Sequence, residues 1–127
     1  MASENQVDCW PVEHVPDGDN LYMRAHKNHF KQNGNLAPGV FRLRPHEGGM
    51  STDWSEYSTP DETRQRGRVP ADNAVLSLNV GMVRAIPQQT VAHTPLPANR
   101  THTDVLGEKD EHARVFLRRA PEIVLPL

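Results

Sequence analysis

The stretch from Asn73 to Ile86 constrains the fold more than any other part of this chain. Ala74, Leu76, Leu78 and Val80 alternate with Val75, Ser77 and Asn79, the period of two that lays one apolar face of a strand against a core. From Val80 the spacing changes. Val80, Val83 and Ile86 recur at helical spacing, which predicts a short helix, and Pro87 ends it. A chain whose strongest signal is a strand running directly into a helix reads as mixed α and β.

The other signals are short and numerous. Eleven prolines break the chain into brief elements and argue against a helical bundle. Leu21 to His26 reads as a strand or the start of a helix, and His26 to Lys31 as one helical turn ended at Asn33-Gly34. Val40 to Arg44 alternates as a strand stopped by Pro45. Gly48 to Asp53 reads either as a tight turn before a strand or as paired glycines that bare backbone N–H groups to an anion. Thr59-Pro60-Asp61-Glu62 combines an N-cap hydroxyl, a proline at the first helical position and a glutamate placed to close a capping box, so a helix starts there. Arg64, Arg66 and Arg68 lie two apart and form no helical stripe, which argues against a dedicated recognition helix. Gln89 to Thr94 and His102 to Leu106 read as strands joined by Pro95 to Thr101. Ala113, Phe116, Leu117 and Ala120 have the spacing of one buried helical face, and Glu122 to Leu125 reads as a last strand. The expected fold is α+β: a small, mostly antiparallel sheet of about five strands with two or three short helices, the C-terminal one packed on a sheet face.

The chain has 36% hydrophobic and 24% charged residues with a net charge of −2, which fits one domain with a small core and long polar loops. Residues 1–20 read as an extended acidic leader and residues 21–127 as a single globular domain. The leader carries Glu4, Asp8, Glu13, Asp17 and Asp19 with no lysine or arginine, the wrong sign for a nucleic-acid arm, and Trp10 is its expected anchor. Arg24, Lys27, Lys31, Arg42, Arg44, Arg64, Arg66 and Arg68 make the following segment basic. These charges read as solvated faces, or as an anion site that the acidic leader covers or mimics. Cys9 stands alone, which excludes an intramolecular disulfide and a cysteine zinc finger; no disulfide-linked partner is expected. No apolar run approaches the ~20 residues that span a bilayer, and Met1 to Asn20 lacks the pattern of a signal peptide. A cytoplasmic protein with no membrane partner is expected.

The doubled His93-Thr94 and His102-Thr103 is the most chemical feature of the chain. If the two strands pair with His93 opposite His102, then Val91 faces Asp104, and His93, His102 and Asp104 share one face. Two imidazoles would then hold a metal or a phosphate with a carboxylate orienting one of them. The alternative is hydrogen-bonded surface histidines at a hairpin mouth, and a slip of one residue destroys the convergence. His26 and His29, three apart on a helical turn, would complete a four-histidine metal set, an unusual combination for zinc. A metal-free site would use Arg24 to hold an anion, His26 or His102 as general acid or base, and Ser51, Thr52 or Asp53 as partner. Dinucleotide, P-loop, nucleophile-elbow and HExxH spacings are all missing, so no cofactor is specified.

Leu21-Tyr22-Met23-Arg24-Ala25-His26, Phe41, Met50-Ser51-Thr52-Asp53, the Val/Leu-rich strand after them and the Pro97 to His102 segment resemble a group of small uncharacterised bacterial proteins with an L-x-R-x-H start, an S-x-x-F element and an LSV or MSxD element. The resemblance covers roughly residues 21–106 and implies a bacterial source with no settled activity. Its matching positions are Arg24, His26, Phe41, Ser51, Asp53 and His102, and Pro38 stands where the group has a small hydroxyl residue. An Arg-His strand followed by a Ser-Thr strand also resembles ADP-ribosyl transferases, but no recognisable catalytic glutamate follows at a strand end and the chain is short for that fold. The leading expectation is an accessory or interaction protein whose acidic leader docks on a basic protein partner. The second is a small enzyme or binder for a phosphate-containing ligand, a nucleotide or RNA, using Arg24, His26, Ser51, Asp53, His93 and His102. A metal-binding domain with histidine ligands is the third.

Overall fold

A computed structural model describes residues 10–37, 49–119 and 121–127. The strand expected over Val40 to Arg44, and Cys9, Pro38 and Phe41, lie outside the described residues. Six strands form one antiparallel sheet: β1 (Asn20–His26), β2 (Met50–Trp54), β3 (Asn73–Asn79), β4 (Thr90–His93), β5 (His102–Leu106) and β6 (Glu122–Leu125), in the order β4-β5-β2-β1-β3-β6. Among the described residues three helices accompany them: α1 (Pro60–Gln65), α2 (Val80–Arg84) and α3 (Glu111–Arg119). The fold is the expected α+β type. Short 3-10 turns at Lys27–His29 and Pro70–Asp72 adjoin β1 and β3.

The sheet's two faces follow from register. Leu21 pairs with Leu78 and with Trp54, Met23 with Leu76, and Met50 with Val105, so apolar side chains from four strands share one face. Val80, Val83 and Ile86 of α2 and its exit, and Ala113 and Leu117 of α3, complete the core there. Asn79 ends β3 and caps α2 by accepting the Met82 N–H, which explains how one run changes period at a single residue. Phe116 is 47% exposed, so α3 buries a narrower stripe than expected, and Ala120 is outside the described residues. Val75, on the opposite face, is also fully buried because α1 crosses β1 and β3 there. The α1 start has both bonds of its capping box, Thr59 with the Glu62 N–H and Glu62 with the Thr59 N–H.

Residues 10–19 lie along the domain. Val15 is buried in the core, and Glu13, Asp17 and Asp19 engage Tyr57, Arg84 and the Trp54 indole N–H respectively. Arg100 stacks between the Tyr57 ring at 4.0 Å and the Trp10 ring at 5.0 Å. The described acids of the leader are therefore matched by this domain's own donors and cations. Among the described residues no helix is long and apolar enough to cross a membrane.

Two outcomes are expected. Gly107 has φ +116° and a Cβ there would collide with the Gln88 carbonyl, so Gly107→Ala should lower stability by about 2 kcal/mol or more in urea denaturation. Lys109 donates to the Val105 and Gly107 carbonyls, and burial lowers its pKa from 10.5 to about 8. Between those two values the unfolded chain holds a proton that the folded chain does not. Stability should therefore rise with pH across that window, and Lys109→Met should remove the rise.

Candidate functional site

Period two places Tyr22, Arg24 and His26 of β1, Ser51 and Asp53 of β2, and His102 and Asp104 of β5 on the face opposite the main core. Six of the seven residues singled out from sequence thus share one side of the sheet. The seventh does not. β4 pairs with β5 through His93↔Thr103 and Ala92↔Asp104, one residue away from the expected His93–His102 register. That slip sends His93 into the core, where it is 3% exposed and packs edge-on against Trp54. Its Nδ1 accepts the Glu13 N–H at 2.9 Å, so its Nε2–H donates to the Arg100 carbonyl at 2.7 Å. His93 is a buried structural imidazole with both nitrogens bonded. The expected His93–His102–Asp104 convergence and the four-histidine metal set both fail for this reason, and among the described residues no three histidine, cysteine or acidic side chains gather to hold a metal.

Asp53 is the centre of the polar face. One carboxylate oxygen accepts from Thr63 Oγ1 and Arg66 Nη1, each at 2.9 Å, and the other from Asn99 Nδ2 at 3.1 Å. Burial alone would raise its pKa, but the hydrogen bonds from Asn99, Thr63 and Thr101 and the charge of Arg66 outweigh it and hold the carboxyl below its ordinary value. An ionised acid with its acceptor sites so occupied is an organiser and not a general base. Arg66 also donates to Ser58 Oγ at 2.8 Å, and Arg24 donates to the Thr63 carbonyl at 2.8 Å.

Two clefts open beside this hub and share Arg24. The β1–β2 ladder consists of Leu21↔Trp54 and Tyr22↔Asp53, and beyond them a cleft of about 50 Å³ is lined by Tyr22, Arg24, Ser51, Thr52, Asp53, Asn99 and His102. Inside it, His102 Nδ1 lies 2.9 Å from the Thr94 carbonyl, which can only accept, so the proton is on Nδ1. The Nε2 lone pair therefore faces Ser51 Oγ at 3.3 Å. Thr94 Oγ1 donates to Asp104 at 2.9 Å and lies 3.0 Å from the same Nδ1. The second cleft, of about 240 Å³, is lined by Arg24, His26, Arg66, Gly67, Arg68, Val69, Asp72 and Asn73. His26 sits there 3.8 Å from Asp72, which Lys27 also approaches at 3.2 Å.

No protein-family model, no curated protein and no solved structure matches this chain.

Sequence reasoning placed Arg66 and Arg68 only within a broad basic segment and passed over Thr94 and Asn99 as site residues. Arg66 caps the C-terminus of α1 and Arg68 lies in the turn beyond it, so their spacing of two was a loop signal and not a failed helical stripe. Thr94 and Asn99 become site residues through the β4–β5 turn, where Asn99 pairs with Leu96 and also accepts from Thr101. Asp53→Ala should cost about 3 kcal/mol, because it leaves Arg66, Thr63 and Asn99 with unmet donors; thermal and urea unfolding measure the loss. Asp53→Asn, which keeps acceptor capacity on one side, should cost less.

Proposed function

We propose that this protein binds a phosphate-containing small ligand, such as a nucleotide, in the arginine-lined cleft between β1 and the turn that follows α1. The observation that carries this reading is the charge of that wall: three arginines, Arg24, Arg66 and Arg68, against one carboxylate, Asp72, in a chain whose net charge is −2. Asp53 neutralises part of Arg66 at 2.9 Å and of Arg24 at 4.0 Å, but Arg68 has no hydrogen-bond or ion-pair partner among the described residues, and Arg24 keeps Nε and Nη2 unbonded there. Guanidinium groups presented in this way favour bidentate contact with phosphate oxygens. Gly67 supports the same reading. A Cβ at Gly67 would lie 3.0 Å from Arg24 Cδ and 2.7 Å from Asn73 Nδ2, so glycine lets Arg24 lie against the cleft wall.

An accessory protein docking through its acidic leader has less support, because Glu13, Asp17 and Asp19 are engaged within the domain. A cytosolic bacterial setting, where nucleotides and phosphorylated metabolites are abundant, is part of this proposal.

Isothermal titration with inorganic pyrophosphate and with AMP tests it. Saturable binding of either, weakened about tenfold by Arg68→Gln and more by Arg24→Gln, is the expected result. Arg68→Gln should leave the melting temperature unchanged, since the exposed side chain has no hydrogen-bond or ion-pair partner among the described residues. Titrations without heat for both probes, at protein concentrations that would reveal millimolar affinity, would sink the assignment.

A further inference from the structure

Ser51 and His102 are not used by the arginine-lined cleft, yet they are arranged as reacting groups are. We infer that they form a nucleophile and general-base pair that cleaves a small phosphoester in the cleft between β1 and β2. The inference stands apart from the binding reading above, although the two clefts share Arg24.

Four observations support it. First, Ser51 pairs with Asp104 across the β2–β5 ladder, so His102 is its diagonal neighbour on the same face, within side-chain reach. Ser51 Oγ then lies 3.3 Å from His102 Nε2, near the distance at which a hydroxyl and its base act together. Second, the tautomer is the required one. The Thr94 carbonyl takes the Nδ1 proton, and Thr94 Oγ1, committed as a donor to Asp104, presents only a lone pair to the same nitrogen. The imidazole is thereby held with its basic nitrogen toward the serine, the role that a third group plays in nucleophile–base–orienter sets. Third, Asp104 Oδ1 lies 4.0 Å from Nε2, close enough to favour the imidazolium that forms when the serine proton arrives. Fourth, Ser51 is exposed, and the lining places Arg24 in the same cleft.

The chemistry of the cleft selects the substrate class. A guanidinium beside the nucleophile suits the negative equatorial oxygens of a phosphoryl group in transfer. Ser51 Oγ attacks phosphorus and forms the Oγ–P bond while the bond from phosphorus to the leaving oxygen breaks. The serine proton passes to His102 Nε2 and from there to the leaving alcohol. Water then attacks the phosphoserine, gives a proton to Nε2, and phosphate departs as Ser51 Oγ recovers that proton. Water is the one co-reactant, and the oxidation state of every atom is unchanged.

The cleft is small, so the reacting end of the substrate is a phosphoryl group with little bulk around it. Thr94 acts through His102 and is a positioning residue.

Incubation with diethyl 4-nitrophenyl phosphate, followed by intact-mass and peptide mapping, tests the assignment directly. One diethylphosphoryl group on Ser51, with release of one 4-nitrophenolate, is the expected result. His102→Gln should slow labelling about 100-fold and Ser51→Ala should abolish it, with unchanged circular dichroism in both. Thr94→Val, which keeps the carbonyl but removes the hydroxyl, should slow labelling about tenfold while Ser51 remains the labelled residue. Turnover of 4-nitrophenyl phosphate should follow the same order. Labelling spread over lysines and tyrosines, or labelling of Ser51 indifferent to His102→Gln, would overturn the proposal. Acylation of Ser51 by 4-nitrophenyl acetate without any phosphorylation would overturn the substrate class. Pyrophosphate titration of the wild-type protein separates the two readings: saturable binding by a wild-type chain whose Ser51 is never labelled removes this inference alone.

Discussion

The carboxylate of Asp53 is the interaction on which the polar half of the molecule depends. It stands on the central strand β2 and gathers donors from three separate stretches: Thr63 on α1, Arg66 at the end of that helix, and Asn99 in the turn between β4 and β5. A helix of six residues has little stability of its own, and α1 contributes one fully buried side chain, Thr63. What holds α1 on the sheet is this charge-assisted network together with the bonds from Arg24 to the Thr63 carbonyl and from Arg64 to the Asn73 and Pro126 carbonyls. Packing governs the other face, where Leu21, Leu76, Leu78 and the two remaining helices exclude water. One sheet therefore has an apolar side that fixes the fold and a polar side that is fixed by hydrogen bonds and leaves two clefts open.

Much of the fold was legible because the strongest local patterns agreed with the tertiary contacts. The strand-to-helix run from Asn73 to Ile86 appears as β3 and α2, with Asn79 capping the join, and Thr59 to Glu62 forms the capping box that its residues specify. The grouping of Arg24, His26, Ser51, Asp53, His102 and Asp104 was half legible. Alternation fixes which residues of one strand share a face, but which strands adjoin depends on long-range pairing that no local pattern encodes. β1 lies between β2 and β3, and β5 beside β2, so residues far apart in sequence become neighbours.

The hairpin shows the limit most clearly. Placing His93 opposite His102 and placing it opposite Thr103 differ by one residue, and the apolar content of β4 decides between them only weakly. The turn decides it: the Thr94 N–H bonds the His102 carbonyl, and Leu96 pairs with Asn99. Val91 then meets Val105 in the core, and the buried His93 finds a donor and an acceptor in Glu13 and Arg100. The described acids of the leader show a related limit. Composition reports the sign of a segment but not whether the domain already supplies the opposite one, as Arg84, Arg100 and Tyr57 do here.

Arg24 forms part of the wall of both clefts, with one guanidinium on a single flexible stem. If the two proposed ligands bind, an anion that draws the group toward the wider cleft would alter the field at Ser51, and a phosphate ester bound beside Ser51 would alter the affinity of the wider cleft. Thermodynamic linkage would make those two binding effects equal in size whatever their sign. A shared arginine would then couple two neighbouring hollows without any movement of the sheet.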